Sequence, residues 1–187
     1  MKTEKKSLFT VREMVFIAIC AAVICVAGPI SVPIGAIPIS LGTFAIYFAA
    51  ALLGGKRGTF AVIVYILIGM VGLPVFTYAR GGIAVLLGAT GGYIIGYIPL
   101  ALLTGVFSDM KVKYNWTMPV GMVLGTAVMY AFGTAWYMRM SGSTLAAALE
   151  VGVLPFLVFD SIKMVLSTML AIPLRARLNK LLGSKSE

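Results

Sequence analysis

The chain has 187 residues, of which 60% are hydrophobic and 11% are charged, and its formal net charge at pH 7 is +9. This composition excludes an ordinary soluble domain, in which about 25% of the residues are charged. It predicts one polytopic membrane domain over residues 1–187. The basic excess is typical of membrane topology and of contact with anionic membrane lipids, because the charges are not clustered on a solvated domain of the kind that binds nucleic acid.

The hydrophobic runs predict an all-α fold with six transmembrane helices, because a spanning helix needs about 20 predominantly apolar residues. Short polar or Gly- and Pro-containing stretches separate the runs, and the second and third runs are short for a bilayer. In chain order, the predicted spans are Val11–Ala27, Ile39–Leu53, Gly58–Gly72, Gly91–Phe107, Met118–Tyr137 and Val151–Pro173.

The distribution of basic residues predicts the orientation of these spans. Cytoplasmic loops of membrane proteins carry an excess of Lys and Arg. In this chain Arg80 and Arg139 fall on one side of the membrane, and Lys163 lies within a span. We therefore predict a multi-pass protein of the cell membrane with both termini in the cytoplasm. The residues assigned to the cytoplasmic side are Lys2, Lys5, Lys6, Arg12, Lys56, Arg57, Lys111, Lys113, Arg175, Arg177, Lys180 and Lys185.

The residue types exclude several kinds of chemistry. The chain contains no histidine, which rules out His-based triads and proton relays and argues against a transition-metal centre. Cys20 and Cys25 lie on one predicted helix without the spacing of a metal site. Gly55 and Lys56 resemble the end of a phosphate-binding loop, but Arg57 stands where Ser or Thr is required. We expect no enzyme activity, metal, cofactor or ATP site in this chain.

Hydrophobic connections on the outer side are predicted to be non-helical. Residues Pro29–Pro38 contain three prolines and one glycine, which prevent a continuing helix. Leu73–Gly82 and Gly88–Gly92 are interrupted in a similar way. Irregular backbone must be covered, because its amide groups would stay unpaired in lipid. We expect these apolar outer loops to cap a ligand pocket; the alternative is that they only lie at the membrane interface.

Asp160 and Lys163 place two opposite charges on one face of the sixth span. A charge near the bilayer centre costs roughly 3 kcal/mol, so such residues usually face the protein interior and mark a substrate or ion site. Ser40, Thr43 and Tyr47 form a polar face on the second span. We predict a binding site at the charged pair; a pair that only locks two helices together is the alternative. Further candidates to face inward are Tyr93, Tyr97, Tyr130 and Tyr137.

Small residues recur every four positions in several spans. Gly96 and Gly125 belong to two such series, which predict close helix packing. Ala18 and Ala22 in the first span have the same spacing. Their face either packs within the bundle or contacts another membrane protein, and the spacing alone does not decide between these.

Five short motifs follow one another along nearly the whole chain. They are Val32-Pro33 with Ile39–Phe44, Leu53–Gly58, Gly72–Phe76, Arg80–Gly82 with Gly88–Tyr93, and Asp160–Lys163. Together they resemble the BioY family, the biotin-specific substrate-capture subunits of energy-coupling-factor transporters. One departure is Ala79, where the family pattern favours Gly.

The resemblance implies a bacterial membrane protein that captures biotin from outside the cell and takes part in its uptake. Its implied partners are a transmembrane scaffold protein and two ATP-binding-cassette ATPases, and ATP would bind to those ATPases alone. Ala18 and Ala22 resemble the motif by which such subunits dock onto the scaffold, so the resemblance favours a partner-contacting face.

Biotin has a ureido ring with two N–H donors and a carbonyl, an apolar thioether ring and a carboxylate. We expect Asp160 to accept a ureido N–H and Lys163 to donate to an oxygen, and Thr43 of the second span is a further candidate to bind the ligand. Side chains expected to cover the apolar ring are Leu41, Phe44, Phe156 and Phe159, and candidates for the carboxylate are Arg80, Tyr93 and the backbone amides of Gly81 and Gly82.

The competing hypothesis is a stand-alone, ion-coupled secondary carrier of a small carboxylate-bearing solute, in which Asp160 titrates. Many such carriers contain inverted repeats with broken helices. The chain shows no convincing repeat of that kind.

Overall fold

The computed structural model describes residues 8–33, 37–110 and 116–183. Over these residues the chain is mostly helical, as predicted, and contains eight α-helices. They are α1 (Val11–Ala27), α2 (Gly42–Leu53), α3 (Gly55–Met70), α4 (Ile83–Leu87), α5 (Gly91–Asp109), α6 (Thr117–Ser141), α7 (Leu145–Gly152) and α8 (Leu154–Gly183).

A short hairpin precedes α2, so the described chain is not entirely helical. Strands β1 (Ser31–Val32) and β2 (Ile39–Ser40) pair in antiparallel fashion. The second span was predicted to begin at Ile39, but α2 begins at Gly42, where the Ser40 hydroxyl accepts the Gly42 N–H at 2.8 Å. Ser40 also donates to the Gly28 carbonyl at 2.8 Å, which connects the hairpin to the end of α1.

The last helix is longer than predicted and begins later. Residues 145–152 form the separate helix α7, and α8 starts at Leu154 and continues through Pro173, where the sixth span was predicted to end. Proline removes one helical hydrogen bond, a loss that surrounding contacts can outweigh. Here Leu178, five residues beyond the proline, is buried in the hydrophobic core, and Arg175 contacts two other helices.

Small residues allow α5 and α6 to pack closely, as their spacing predicted. A Cβ added to Gly96 of α5 would lie 3.0 Å from the Met129 Cα of α6. One added to Gly125 of α6 would lie 2.8 Å from the Leu100 carbonyl oxygen of α5. Larger side chains at these positions would force the two backbones apart.

Charged side chains connect the helices at one end of the bundle, which we call the basic end. Arg57 of α3 forms an ion pair with Glu13 of α1 at 2.6 Å. The Asp109 carboxylate at the end of α5 accepts the Gly55 N–H of α3 at 2.8 Å and pairs with Arg175 of α8. These contacts join α1 to α3 and join α5 to both α3 and α8.

Three described stretches are long and apolar enough to cross a membrane: Gly91–Asp109, Thr117–Ser141 and Leu145–Leu181. Helix α2 is also apolar but has 12 residues, and α1 and α3 have 17 and 16. The six-span count and the orientation therefore stay predictions. Of the basic residues assigned to the cytoplasmic side, those that lie outside the described residues are Lys2, Lys5, Lys6, Lys111, Lys113 and Lys185.

Candidate functional site

A cavity of about 520 Å³ lies at the end of the bundle opposite the basic end. Its walls come from the β2 strand, residues 76–90 and the five helices α2, α5, α6, α7 and α8. Pockets for small organic ligands have volumes of about 300–1,000 Å³, so the size suits such a ligand. Apolar surface is supplied by Val85, Ile94, Met129 and Phe156, among others.

The predicted charged pair lies on the wall of this cavity. Asp160 is 2% exposed and Lys163 is 7% exposed, and the Lys163 ammonium donates to Asp160 Oδ1 at 3.0 Å. Helix α2 supplies Thr43, whose hydroxyl oxygen accepts a second N–H of Lys163 at 2.8 Å. Both charged residues face inward because they lie three positions apart on α8, which packs along α2.

Tyrosines complete the polar part of the wall. The Tyr130 hydroxyl of α6 donates to Asp160 Oδ2 at 2.7 Å, and the Tyr93 hydroxyl of α5 donates to the Gly152 carbonyl at 3.2 Å. Tyr97 also lines the cavity. Of the inward candidates, Tyr137 lies outside the cavity wall.

The polar cluster retains capacity to bind a ligand. An ammonium has three donors, and two of those of Lys163 are used by Asp160 and Thr43, with no further protein partner in the described part of the chain. A carboxylate has about four acceptor positions, and the Asp160 oxygens do not fill all of them with protein donors. The cavity therefore offers one cationic donor and one anionic acceptor side by side.

Tyr47 lies one helical turn beyond Thr43 on α2, behind the cavity wall. It is fully buried, and its hydroxyl is 2.6 Å from the Thr126 hydroxyl of α6. Thr126 uses its own proton to bond the Met122 carbonyl at 2.7 Å, so Tyr47 is the donor of the pair. This contact joins α2 to α6 without reaching the cavity.

A single basic side chain stands on the loop that borders the cavity. The Phe76 N–H donates to the Arg80 carbonyl at 2.9 Å, which closes the loop, and the buried Phe76 ring packs on Tyr65 with ring centroids 5.6 Å apart. The Arg80 guanidinium is exposed and lies 5.7 Å from the centre of the Tyr78 ring. It pairs with no carboxylate among the described residues, so it is available to an anionic group.

The same loop contains two consecutive non-glycine residues with left-handed backbone. Tyr78 has φ 60° and Ala79 has φ 52°. Non-glycine residues in this region cost of order 1 kcal/mol or more, whereas glycine adopts it without strain. A glycine at position 79 would adopt this backbone conformation without strain.

Five of the predicted site residues lie outside the cavity wall. Helical phase explains Phe159, because each residue along a helix turns by about 100°, which carries it from the Asp160 face to the surface, 40% exposed. Leu41 is 44% exposed, next to the inward Ser40. The other three are Phe44, Gly81, which packs against the Leu73 carbonyl, and Gly82, whose N–H donates to the Gly69 carbonyl at 2.7 Å.

The remaining predicted residues that do line the wall are Asp160, Lys163, Thr43, Arg80, Tyr93 and Phe156. No role was predicted for Met129 and Ile94, because an apolar residue on an apolar helix gives no signal of facing a cavity. No function was predicted for Phe76, which also lines the cavity. Its place in the Gly72–Phe76 motif was the one signal in the sequence that could have indicated it.

Ala18 and Ala22 lie together on an exposed face of α1. Their neighbours Ala21 and Ile24 are buried in the core, at 1% and 0% exposed. The spacing left open whether this alanine pair packs inside the bundle, and the structure places it on the outer surface.

Comparison with known proteins agrees with the resemblance seen in the motifs. The BioY family model matches residues 1–180. The biotin transporter BioY of Thermotoga maritima is 37% identical over 164 residues, which cover 88% of this chain and 96% of that protein. The biotin transporter BioY2 of Lactococcus lactis is 34% identical over 164 residues, which cover 87% and 89% respectively.

A solved structure is similar as well. The crystal structure of the S-component for biotin from an ECF-type ABC transporter matches with a TM-score of 0.81 and 29% sequence identity, over 89% of this chain and 92% of that one. The family model, the relatives and the fold all agree, and the chain belongs to the BioY family.

Proposed function

We propose that this chain binds biotin from outside the cell and acts as the substrate-specific subunit of an ATP-driven biotin transporter. As a member of the BioY family it is a transporter subunit rather than an enzyme. The observation that carries the proposal is the buried cluster of Asp160, Lys163 and Thr43 on the wall of a ligand-sized cavity. Relatives named as biotin transporters support the identity of the ligand.

The cavity provides a partner for each part of biotin. The ureido N–H groups are donors suited to Asp160, and the ureido carbonyl is an acceptor suited to the free N–H of Lys163. The thioether ring would contact apolar wall such as Phe156 and Met129. Arg80 at the border of the cavity is suited to the carboxylate. Leaving these polar groups without a hydrogen-bond partner costs free energy, which favours ligands that bond to all of them.

We further propose six membrane spans in a bacterial cell membrane, with the basic end in the cytoplasm. At 1.5 Å per residue, α1 and α3 have lengths of about 25 Å, close to the thickness of the bilayer core. Arg12, Lys56, Arg57 and Arg175 lie at the basic end, whereas Arg80 lies at the cavity end. This distribution supports an outward-facing cavity.

The proposed partners are a transmembrane scaffold protein and two ATP-binding-cassette ATPases. The exposed face of α1 that carries Ala18 and Ala22 would contact the scaffold, because small residues allow two helices to approach closely. ATP hydrolysis would take place on the ATPases, since the sequence of this chain lacks a phosphate-binding loop.

Purification tests the ligand directly. We expect the detergent-extracted protein to carry biotin in a 1:1 ratio, seen by native mass spectrometry, because a buried cluster completed by its ligand should release it slowly. A protein without biotin that also fails to bind added biotin would refute the proposal.

Reconstitution tests the coupling. In proteoliposomes, accumulation of biotin should require the scaffold protein, both ATPases and ATP. Accumulation by this chain alone, driven by an ion gradient, would support the stand-alone secondary carrier instead.

A further inference from the structure

Tyr130 connects the cavity wall of α6 to the charged pair on α8. It is 8% exposed, and its hydroxyl lies 2.7 Å from Asp160 Oδ2. This length is typical of a hydroxyl that donates to an ionised carboxylate, about 2.5–2.7 Å. Within the described residues, the other side-chain hydrogen bond between α6 and α8 is the longer contact of Thr168 with the Met122 sulfur, at 3.5 Å.

The two oxygens of Asp160 are held by different parts of the fold. Oδ1 contacts Lys163 at 3.0 Å on its own helix and Thr43 of α2 at 3.5 Å. Oδ2 has Tyr130 as its hydrogen-bond partner in the described part of the chain. The carboxylate is therefore held from both sides, and loss of the Tyr130 hydroxyl would leave Oδ2 without a protein donor.

We propose that Tyr130 is a positioning residue, which orients the Asp160 carboxylate toward the N–H groups of the ligand and thereby sets selectivity for an unsubstituted ureido ring. The proposal rests on the proposed function, in which Asp160 accepts from biotin. The terminal torsion of an aspartate is broad when nothing restrains it. Hydrogen bonds to both oxygens fix the carboxylate plane before the ligand arrives, so less conformational freedom is lost on binding.

Selectivity distinguishes this role from a structural one. A hydroxyl that only supports the packing of α6 on α8 would, when removed, weaken every ligand of the cavity to a similar extent. A hydroxyl that orients Asp160 affects ligands in proportion to their bonding with that carboxylate. Dethiobiotin keeps both ureido N–H groups and lacks the sulfur, whereas biotin methylated on one ureido nitrogen has lost one of those donors.

The test compares Tyr130→Phe with the matched variant Tyr47→Phe. Each variant removes one buried tyrosine hydroxyl that donates to a side chain, but the Tyr47 hydroxyl bonds Thr126 behind the cavity wall. Affinities for biotin, dethiobiotin and the N-methylated biotin are measured by calorimetry on ligand-free protein, together with thermal unfolding.

For Tyr130→Phe we expect biotin and dethiobiotin to bind about tenfold more weakly, since the variant disturbs a bond to a charged acceptor. The N-methylated biotin should lose less, so the ratio of its affinity to that of biotin changes by at least about threefold. Tyr47→Phe is expected to lower the unfolding temperature while leaving all affinity ratios unchanged.

Several outcomes would overturn the role of Tyr130 alone. They are unchanged biotin affinity in Tyr130→Phe, an equal loss for all three ligands, or the same change of ratio in Tyr47→Phe. A wild-type protein that binds no biotin overturns the proposed function and this inference with it.

If Tyr130→Phe does not yield folded protein, p-aminophenylalanine at position 130 replaces it in the test, because its amino group keeps a donor near Asp160 Oδ2. We expect this variant to retain the wild-type ratio between biotin and the N-methylated biotin within about twofold. A larger change in that ratio would overturn the proposal.

Discussion

Three variants at the charged pair separate ligand recognition from helix packing: Asp160→Asn, Lys163→Met and the two combined. In Asp160→Asn the side chain keeps its size but exchanges one acceptor oxygen for a donor amide. The amide oxygen is expected to face Lys163, because the ammonium can only donate. The amide nitrogen then faces Tyr130, whose hydroxyl can turn from donor to acceptor.

Each single substitution leaves one buried charge without its ionic partner. The cost of breaking a buried pair in this way is about 3 kcal/mol in the free energy of unfolding. The ligand should be affected as well, since loss of a hydrogen bond to a charged group reduces binding by about 2 kcal/mol, or roughly thirtyfold in Kd. The double variant contains no uncompensated charge, so its stability should return to within about 1 kcal/mol of the wild type.

The two hypotheses for the charged pair, ligand binding and helix packing, predict different biotin affinities for the double variant. If Asp160 and Lys163 bind the ligand, affinity for biotin stays at least about thirtyfold weaker although stability recovers. If they only lock α8 against α2, affinity and stability recover together, and this result would refute their assignment to the ligand. Thermal unfolding and calorimetric titration with biotin provide the two measurements. Ser161→Ala is the control, because Ser161 is exposed and bonds only within α8.

Three further predictions concern other parts of the fold. Ala18→Trp should abolish co-purification with the scaffold protein and leave biotin affinity unchanged; lost biotin binding with intact assembly would place this face inside the bundle. Ala79→Gly should raise the free energy of unfolding by about 0.5 kcal/mol, because it relieves a positive φ, whereas the control Ala84→Gly in helix α4 should not raise it. Asp109→Asn should lower the free energy of unfolding by about 1 kcal/mol, since Asp109 is half exposed, and biotin affinity should not change.

Regularities along the chain predicted much of the helical framework. Hydrophobic runs predicted the start of α1 and of α5 at the observed residues, since polar or glycine residues in the preceding connections interrupt those runs. The extension of α8 beyond Pro173 was missed, because it depends on burial of Leu178 and on contacts of Arg175 with residues distant in sequence. Local propensity alone favours a helix end there.

At the site, the features that could not be predicted from the sequence have a different physical cause from the helix boundaries. Spacing was enough to place Asp160 and Lys163 on one helix face, since their geometry is set within one turn. The donor to the second oxygen comes from Tyr130, on a helix whose rotation is fixed by glycine contacts with α5. Phe159 directly precedes Asp160 and lies on the surface, whereas Phe156, one turn before Asp160, lies in the cavity wall. The rotation of about 100° per residue along the helix explains both positions. A residue next to a functional one in sequence is thus a poor candidate on a helix, and a better candidate lies one full turn away.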